Sequence, residues 1–261
     1  MIGGYDYGRA GRIGVGTPQA NPTVEAELRI LMPPAVSLTV LRLTSTAAAP
    51  ADRLRAYLLG LCEQLTAFDS FRPDVFGFGC TASAYLVDAA DERAVLNFCE
   101  DRYGYPIVTA ADAIDLALSR IGARRIALLS PYPPDLATAA VRYWQGRGYE
   151  VAATGTAGDL GPGGDTRGIY ALGSADAGAA LARADLAGVD AVLLSGTGMP
   201  SLPLIADADI GVPLLSSNLC LAAALCARLG LGDPIDPAAA PGQAWRERCR
   251  AATTNTDAGR E

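Results

Sequence analysis

Two pairs of matching segments constrain this chain more than anything else in it. RIGVGTPQANP begins at Arg12 and RIALLSPYPPD at Arg125; each reads Arg-Ile, a short apolar strand, then Thr or Ser followed by Pro. GYPIVTAADAIDLALSRIG begins at Gly104 and GVPLLSSNLCLAAALCARLG at Gly211; each reads Gly-x-Pro, a strand, a hydroxyl-rich turn and a helix closed by Gly. The first pair is offset by 113 residues and the second by 107. Self-similarity of this kind is expected of two copies of one α/β unit. Chance likeness between unrelated βα units is the alternative.

Strand-like runs (IGVGTP, VSLTVLRL, VFGFGC, PIVTA, RIALLSP, DAVLLSG, PLLSS) alternate with segments carrying Ala and Leu at helical spacing, such as DRLRAYLLGLCEQL and DLATAAVRYWQGRG. That alternation favours parallel sheets covered by helices. We therefore expect an α/β fold of two pseudo-symmetric lobes, residues 1–116 with 217–230 forming the first and residues 117–216 the second. Residues 231–261 are expected to be a loosely ordered tail. A ligand belongs in the interlobe cleft, near the C-terminal ends of the strands. Two strand ends would face each other there: VFGFG followed by Cys80 and Thr81, and VLLS followed by Gly196, Thr197 and Gly198.

The chain of 261 residues has no histidine and no lysine. It therefore has no Ser-His triad, Cys-His dyad or imidazole metal site. A Schiff-base lysine, a pyridoxal phosphate linkage and a Walker-type lysine are excluded as well. Acid–base chemistry falls to Cys, Asp, Glu, Tyr, hydroxyls and backbone dipoles. A formal net charge of -7 argues against nucleic acid or an anionic membrane as partner. No apolar stretch approaches the roughly 20 residues of a membrane span, and the start, MIGGYDYGRAGRIGVG, lacks the apolar core of a signal peptide. A cytoplasmic protein is expected. The 6 cysteines form no CxxC pair and are expected to be reduced.

Cys80 is either a small buried hydrophobe or a reactive thiol. The strand-end position and the helix starting beside it favour reactivity, with a pKa drawn below about 8.5. Cys62, Cys99, Cys220 and Cys226 read as packing, and Cys249 falls in the polar tail. Asn21 suits a helix cap as well as a ligand contact, and Tyr132 a turn as well as a binding site. Glu25 and Glu27 read as first-turn helix residues, and Arg42 as a surface or interlobe cation. The glycine-rich segment 156–168 reads as a loop, with a lid as one use for it.

TPQANPTVEAEL (residues 17 to 28), GFGCTAS, ALLSPYPPDL, LLSGTGMPSL and GVPLLSSN together resemble the aspartate/glutamate racemase superfamily, in the branch holding maleate cis-trans isomerase and arylmalonate decarboxylase. The resemblance covers roughly residues 11 to 230. It implies two lobes with four-stranded sheets, no metal, no organic cofactor and a small dicarboxylate as partner; a homo-oligomer stays open. It implies Cys80 as the catalytic thiol, with Pro18, Asn21, Thr81, Ala82, Tyr132, Gly196, Thr197 and Gly198 binding substrate. In the racemases and the isomerase two cysteines flank the substrate, and Gly196 stands at the second position. A lone thiol cannot run two-base racemisation, but it suffices to protonate an enediolate after decarboxylation. The expected function is thus a cofactor-independent decarboxylase of a substituted malonate-like diacid. A maleate-isomerase-like enzyme with Cys80 as nucleophile, and a non-catalytic dicarboxylate-binding protein, are the alternatives. A cysteine at position 196 would be expected to supply the missing base.

Overall fold

A computed structural model describes residues 5–161 and 163–254. The first four residues, Pro162 and the end of the expected tail beyond residue 254 lie outside the described residues. The first sheet is built from β1 (Gly11–Pro18), β2 (Val36–Leu43), β3 (Val75–Phe78) and β4 (Ile107–Thr109). Helices α1 (Thr23–Leu31), α2 (Pro50–Leu59), α3 (Leu61–Gln64), α4 (Thr81–Ala84), α5 (Ala89–Tyr103) and α6 (Ala110–Arg120) accompany it. The second sheet is built from β5 (Arg125–Ser130), β6 (Glu150–Thr156), β7 (Ala191–Leu194) and β8 (Leu214–Ser216). The helices that follow in sequence are α7 (Pro134–Gly146), α8 (Ser174–Arg183), α9 (Leu202–Asp207), α10 (Ser217–Arg228) and α11 (Ala240–Thr254).

The strand orders are β2-β1-β3-β4 and β6-β5-β7-β8, and every pairing is parallel. The two sheets are one topology used twice. Inner strands β3 and β7 are buried along their whole length, as parallel strands covered on both faces must be. The matching helices start alike: the Thr109 hydroxyl accepts from Asp112 N at 3.0 Å, and Ser216 Oγ accepts from Leu219 N at 3.3 Å. Those hydroxyls satisfy N–H groups that a helix start leaves orphaned. α10 follows the second sheet but packs on α1, α6 and β3 of the first, so the chain crosses back. The lobe boundaries at 116/117 and 216/217, with 217–230 returned to the first lobe, we propose as the domain division.

The C-terminal segment departs from expectation. Residues 240–254 form a helix rather than a loosely ordered tail. Trp245 is fully buried, with Nε1 donating to Pro234 O at 2.8 Å, and Cys249 is buried as well. Arg248 donates to the carbonyls of Ile30, Leu31 and Met32, capping the C-terminus of α1. Burial of an indole and capping of a neighbouring helix outweigh the polar composition. No helix among the described residues is long and apolar enough to cross a membrane.

Candidate active site

The two inner strands end in the same backbone device. Gly79 N donates to Gly16 O at 2.7 Å, and Ser195 N to Leu129 O at 2.8 Å. Cys80 and Gly196 each stand two residues beyond their strand, so the fold delivers both to the interlobe cleft. There a small cavity of about 30 Å³ is lined by Pro18, Asn21, Cys80, Ala82, Tyr132, Gly196, Thr197 and Gly198. Leu54, Thr166, Ile169 and Tyr170 complete the wall. Thr81 is the one residue of the expected set outside it: its hydroxyl donates to Ser217 Oγ at 3.0 Å, and Ser217 Oγ accepts from Gly196 N at 3.0 Å. Thr81 thus ties the two strand ends together.

Cys80 is the one thiol lining the cavity among the described residues, and is 4% exposed. It takes an extended conformation at the N-terminus of α4. The expectation of a depressed pKa is overturned. Burial pushes the thiol up, and donors at Ser83 and Ala82 return only part of the shift; a four-residue helix cannot offset desolvation on that scale. At neutral pH the group is a thiol. Ser83 Oγ lies 2.7 Å from Leu54 O and 3.2 Å from Cys80 Sγ. Its single proton serves one neighbour at a time, so the hydroxyl can turn from the carbonyl to the sulfur when the thiol ionises.

Tyr132 carries the clearest sign of a ligand. Its hydroxyl is buried in the cavity wall and meets no partner at full hydrogen-bond geometry, with only the Ser195 hydroxyl interacting weakly, a state that costs stability unless something polar arrives. Burial holds its pKa well above the ordinary tyrosine value, with the nearby Ser195 hydroxyl offsetting part of the shift, so Tyr132 acts as a donor. Its ring packs edge-on against Tyr85. Trp144 Nε1 donates to Tyr85 Oη at 3.0 Å, and Tyr85 Oη lies 2.8 Å from Ser195 Oγ. Asn21 braces the start of α1 from the cavity wall: Oδ1 accepts from Thr23 N at 2.9 Å, while Nδ2 donates to Thr197 Oγ1 at 3.4 Å. Thr197 Oγ1 in turn donates to Gly79 O at 2.9 Å.

Gly196 is more than a residue lacking a thiol. Its φ of 135° lies where L side chains rarely go, and a Cβ there would sit 3.0 Å from Pro131 Cδ and 3.1 Å from Cγ. At Gly198 a Cβ would meet the Tyr170 ring at 2.7 Å. Tyr170 belongs to a 3-10 turn, Thr166–Ala171, that roofs the cavity and ends the glycine-rich segment. Asp165, just before it, accepts from Arg53 Nη2 at 2.5 Å, the arginine side chain being 5% exposed, and also pairs with Arg167. Beside the cavity lies a pocket of about 330 Å³, lined largely by apolar residues and sharing Leu54 and Thr166 with it. A larger hollow of about 490 Å³ near Arg120 and Arg246 contains no thiol and no buried side-chain polar atom without a partner. Size does not mark the site.

Sequence reasoning missed the wall residues Leu54, Ile169 and Tyr170 and the supports Ser83, Ser217 and Tyr85, whereas Thr166 lies in the segment 156–168 for which a lid was one reading. Ser83 and Ser217 stand inside quoted motifs, GFGCTAS and GVPLLSSN, and both carry hydroxyls at helix starts. The other correction is Glu27, which lies beyond the first turn of α1 and is buried. Arg42 pairs with Glu25 at 2.7 Å and donates to Asn21 O, holding the β1–α1 turn. Among the described residues no group of three or more His, Cys, Asp or Glu is placed to hold a metal ion.

No protein-family model matches the chain. It is 27% identical over 247 residues to the maleate isomerase of Pseudomonas putida, covering 87% of this chain and 95% of the relative. It is 26% identical over 258 residues to the maleate isomerase of Nocardia farcinica, covering 88% and 93%. Among solved structures, a Nocardia farcinica maleate cis-trans isomerase mutant with a covalently bound succinylcysteine intermediate superposes with a TM-score of 0.72 at 23% identity, covering 84% and 93%. Arylmalonate decarboxylase superposes with a TM-score of 0.60 at 20% identity, covering 85% and 93%.

Proposed function

From a chain that belongs to the maleate isomerase and arylmalonate decarboxylase branch of the aspartate/glutamate racemase superfamily, we propose a cofactor-independent decarboxylase of a substituted malonate-like diacid. The observation that carries this reading is the asymmetry of the cavity: one buried thiol, Cys80, opposite a glycine whose φ of 135° disfavours any side chain. One proton donor suffices for decarboxylation. The retained carboxylate accepts from Tyr132 Oη and from the N–H groups of Thr197 and Gly198, the Gly196 N–H being held by Ser217. The departing carboxylate, set among apolar walls such as Leu54 and Ile169, loses CO₂ and leaves its electron pair on the enediolate. Fixed donors aimed at that developing charge are the largest single source of rate in such sites.

Cys80 then gives its proton to the α-carbon. The thiolate so formed accepts from the Ser83 hydroxyl and nearby N–H groups, and regains a proton from water. A thiol kept neutral by burial is in the right state to donate. The adjoining pocket gives the diacid's side group a place, which maleate would leave empty. A second reading is favoured by the sequence relatives, both maleate isomerases: Cys80 as a thiolate adds to the double bond of maleate, the single bond rotates, and elimination gives fumarate. That route must first ionise a thiol that burial holds protonated.

Incubation with phenylmalonate and, separately, with maleate, followed by proton NMR, separates these readings. Phenylacetate with CO₂ is the expected result. Fumarate from maleate, without decarboxylation, would replace the first reading by the second. No turnover of either diacid, with binding seen by calorimetry, would make the chain a dicarboxylate-binding protein.

A further inference from the structure

The motif running from Asn21 to Glu27 does more than start a helix. Thr23 Oγ1 donates to Gly198 O at 2.8 Å, two residues after the Asn21–Thr197 contact. Glu27 follows one turn further and is 4% exposed. Its Oε1 accepts from Ser201 N at 2.6 Å and Leu202 N at 3.0 Å. The Ser201 hydroxyl lies 3.2 Å from both carboxylate oxygens. Oε2 accepts from Asn218 Nδ2 at 2.7 Å, and that same amide donates to Thr197 O at 3.0 Å. One carboxylate of the first lobe therefore grips both ends of the segment that follows β7: directly at Ser201 and Leu202, and through Asn218 at Thr197.

No cation faces it. The ion pairs of α1 belong to Glu25, with Arg29 and Arg42. Burying a carboxylate without a counter-charge costs stability, and burial does push the Glu27 carboxyl up, the Ser201, Asn218 and Leu202 donors pulling it part of the way back. A side chain needed only for packing would avoid that cost with leucine. What leucine or glutamine cannot do is accept from four donor groups at once, since a primary amide would turn an NH₂ toward donors.

We propose that Glu27 is the positioning residue of the second lobe's half of the site, holding segment 196–202 against α1 so that its donors stay aimed at a carboxylate beside Cys80. The proposal rests on the reading of the cavity as a dicarboxylate site, and its first test does not depend on that reading. Amide hydrogen exchange is measured by mass spectrometry on the full chain and on Glu27→Gln. The expected result is exchange about tenfold faster across residues 196–202, with β1 and β5 unchanged; unchanged exchange there overturns the proposal, as does a uniform rise over the whole chain. The second test is calorimetric binding of phenylmalonate and maleate in the Cys80→Ala background, where nothing turns over. Glu27→Gln should weaken the diacid that binds by about tenfold and Glu27→Asp should recover part of the loss, whereas equal affinity overturns the proposal. If neither diacid binds the parent, the dicarboxylate reading fails and the exchange data alone decide the role of Glu27. Should Glu27→Gln not fold, Asn218→Ala cuts the link to Thr197 while sparing the bonds to Ser201 and Leu202. It should speed exchange over 196–199 and leave 201–202 protected; no change overturns the proposal.

Discussion

The residues after β3 and after β7 occupy matching places in matching sheets, yet they do opposite things. After β3 the chain is extended, and Cys80 directs a thiol into the cavity. After β7 the chain turns at Gly196 with a φ of 135°, and the wall there is backbone where the other strand end has a thiol. The frame is shared down to the hydrogen bonds from Gly79 to Gly16 and from Ser195 to Leu129. On the proposed reading, a duplicated scaffold separates two tasks, proton delivery on one side and anion binding on the other. A symmetric pair of thiols would let a product be deprotonated again; an asymmetric pair makes protonation one-sided.

The strongest way to break this comparison is to remove the thiol. Cys80→Ala is expected to lower kcat by about 10³-fold, within the range that a positioned acid contributes, while the melting temperature changes little. The Cys80 side chain is small, and Cys62, Cys99, Cys220, Cys226 and Cys249 do not line the cavity. Steady-state kinetics with the diacid identified by NMR gives the answer. Activity above about a tenth of wild type would show that another group delivers the proton.

The second way is to force symmetry. Gly196→Cys looks, in sequence, like restoration of a second base; in the structure it is strained. A side chain at that φ, pressed against Pro131, is expected to cost roughly 1–3 kcal/mol. The melting temperature should fall by about 2–12 °C. The variant should gain no racemase activity, because the turn must distort before the new thiol can face the substrate. Product made in deuterated water from a disubstituted malonate should carry one deuterium at the α-carbon and one hand, in wild type and variant alike. Rapid wash-in of solvent deuterium into finished product would reveal a second base and end the one-sided picture.

How far all this could be read beforehand depends on where the information lies. The α/β alternation, the duplicated lobes and the position of Cys80 were legible because inner parallel strands such as VFGF and AVLL are short, fully apolar runs bounded by glycine or a charge. Edge strand β6, EVAATGT, was not, because its side chains alternate between exposed and half-buried and carry little apolar signal. Helix α11 was masked by its arginines, although Trp245 and Cys249 already stand at the spacing of one helical face. Within the site, the motifs pointed to the residues of the cavity wall but not to what they do. Gly196 reads as an absence until its φ is known, and Thr81 reads as a ligand group until its hydroxyl is found on Ser217. Glu27 was misread because helix position says nothing of what lies across the lobe boundary. Cys80's raised pKa is likewise set by burial, which local sequence does not report.

The smallest expected effect concerns the roof that both strand ends share. The cavity of about 30 Å³ has room for about one water molecule, so on the proposed reading the Thr166–Ala171 turn lifts to let a diacid reach Cys80. Arg53, buried on α2, holds that turn down through Asp165, whose carboxyl is drawn to about 2, chiefly by its hydrogen bonds with Arg167. The sign follows from the depressed pKa: the stabilisation is complete above the ordinary carboxylate range and disappears as pH falls through about 2. Asp165 is 36% exposed at its side chain, so solvent screening keeps the gain at about 1 kcal/mol or less. Asp165→Asn should therefore lose a little stability at neutral pH and converge on wild type near pH 2, as urea denaturation across that range would record. With the latch gone the roof opens more often, and alkylation of Cys80 by iodoacetamide should quicken by about two- to fivefold. An unchanged alkylation rate would mean that the contact between Tyr170 and Gly198, not the ion pair, keeps the roof closed.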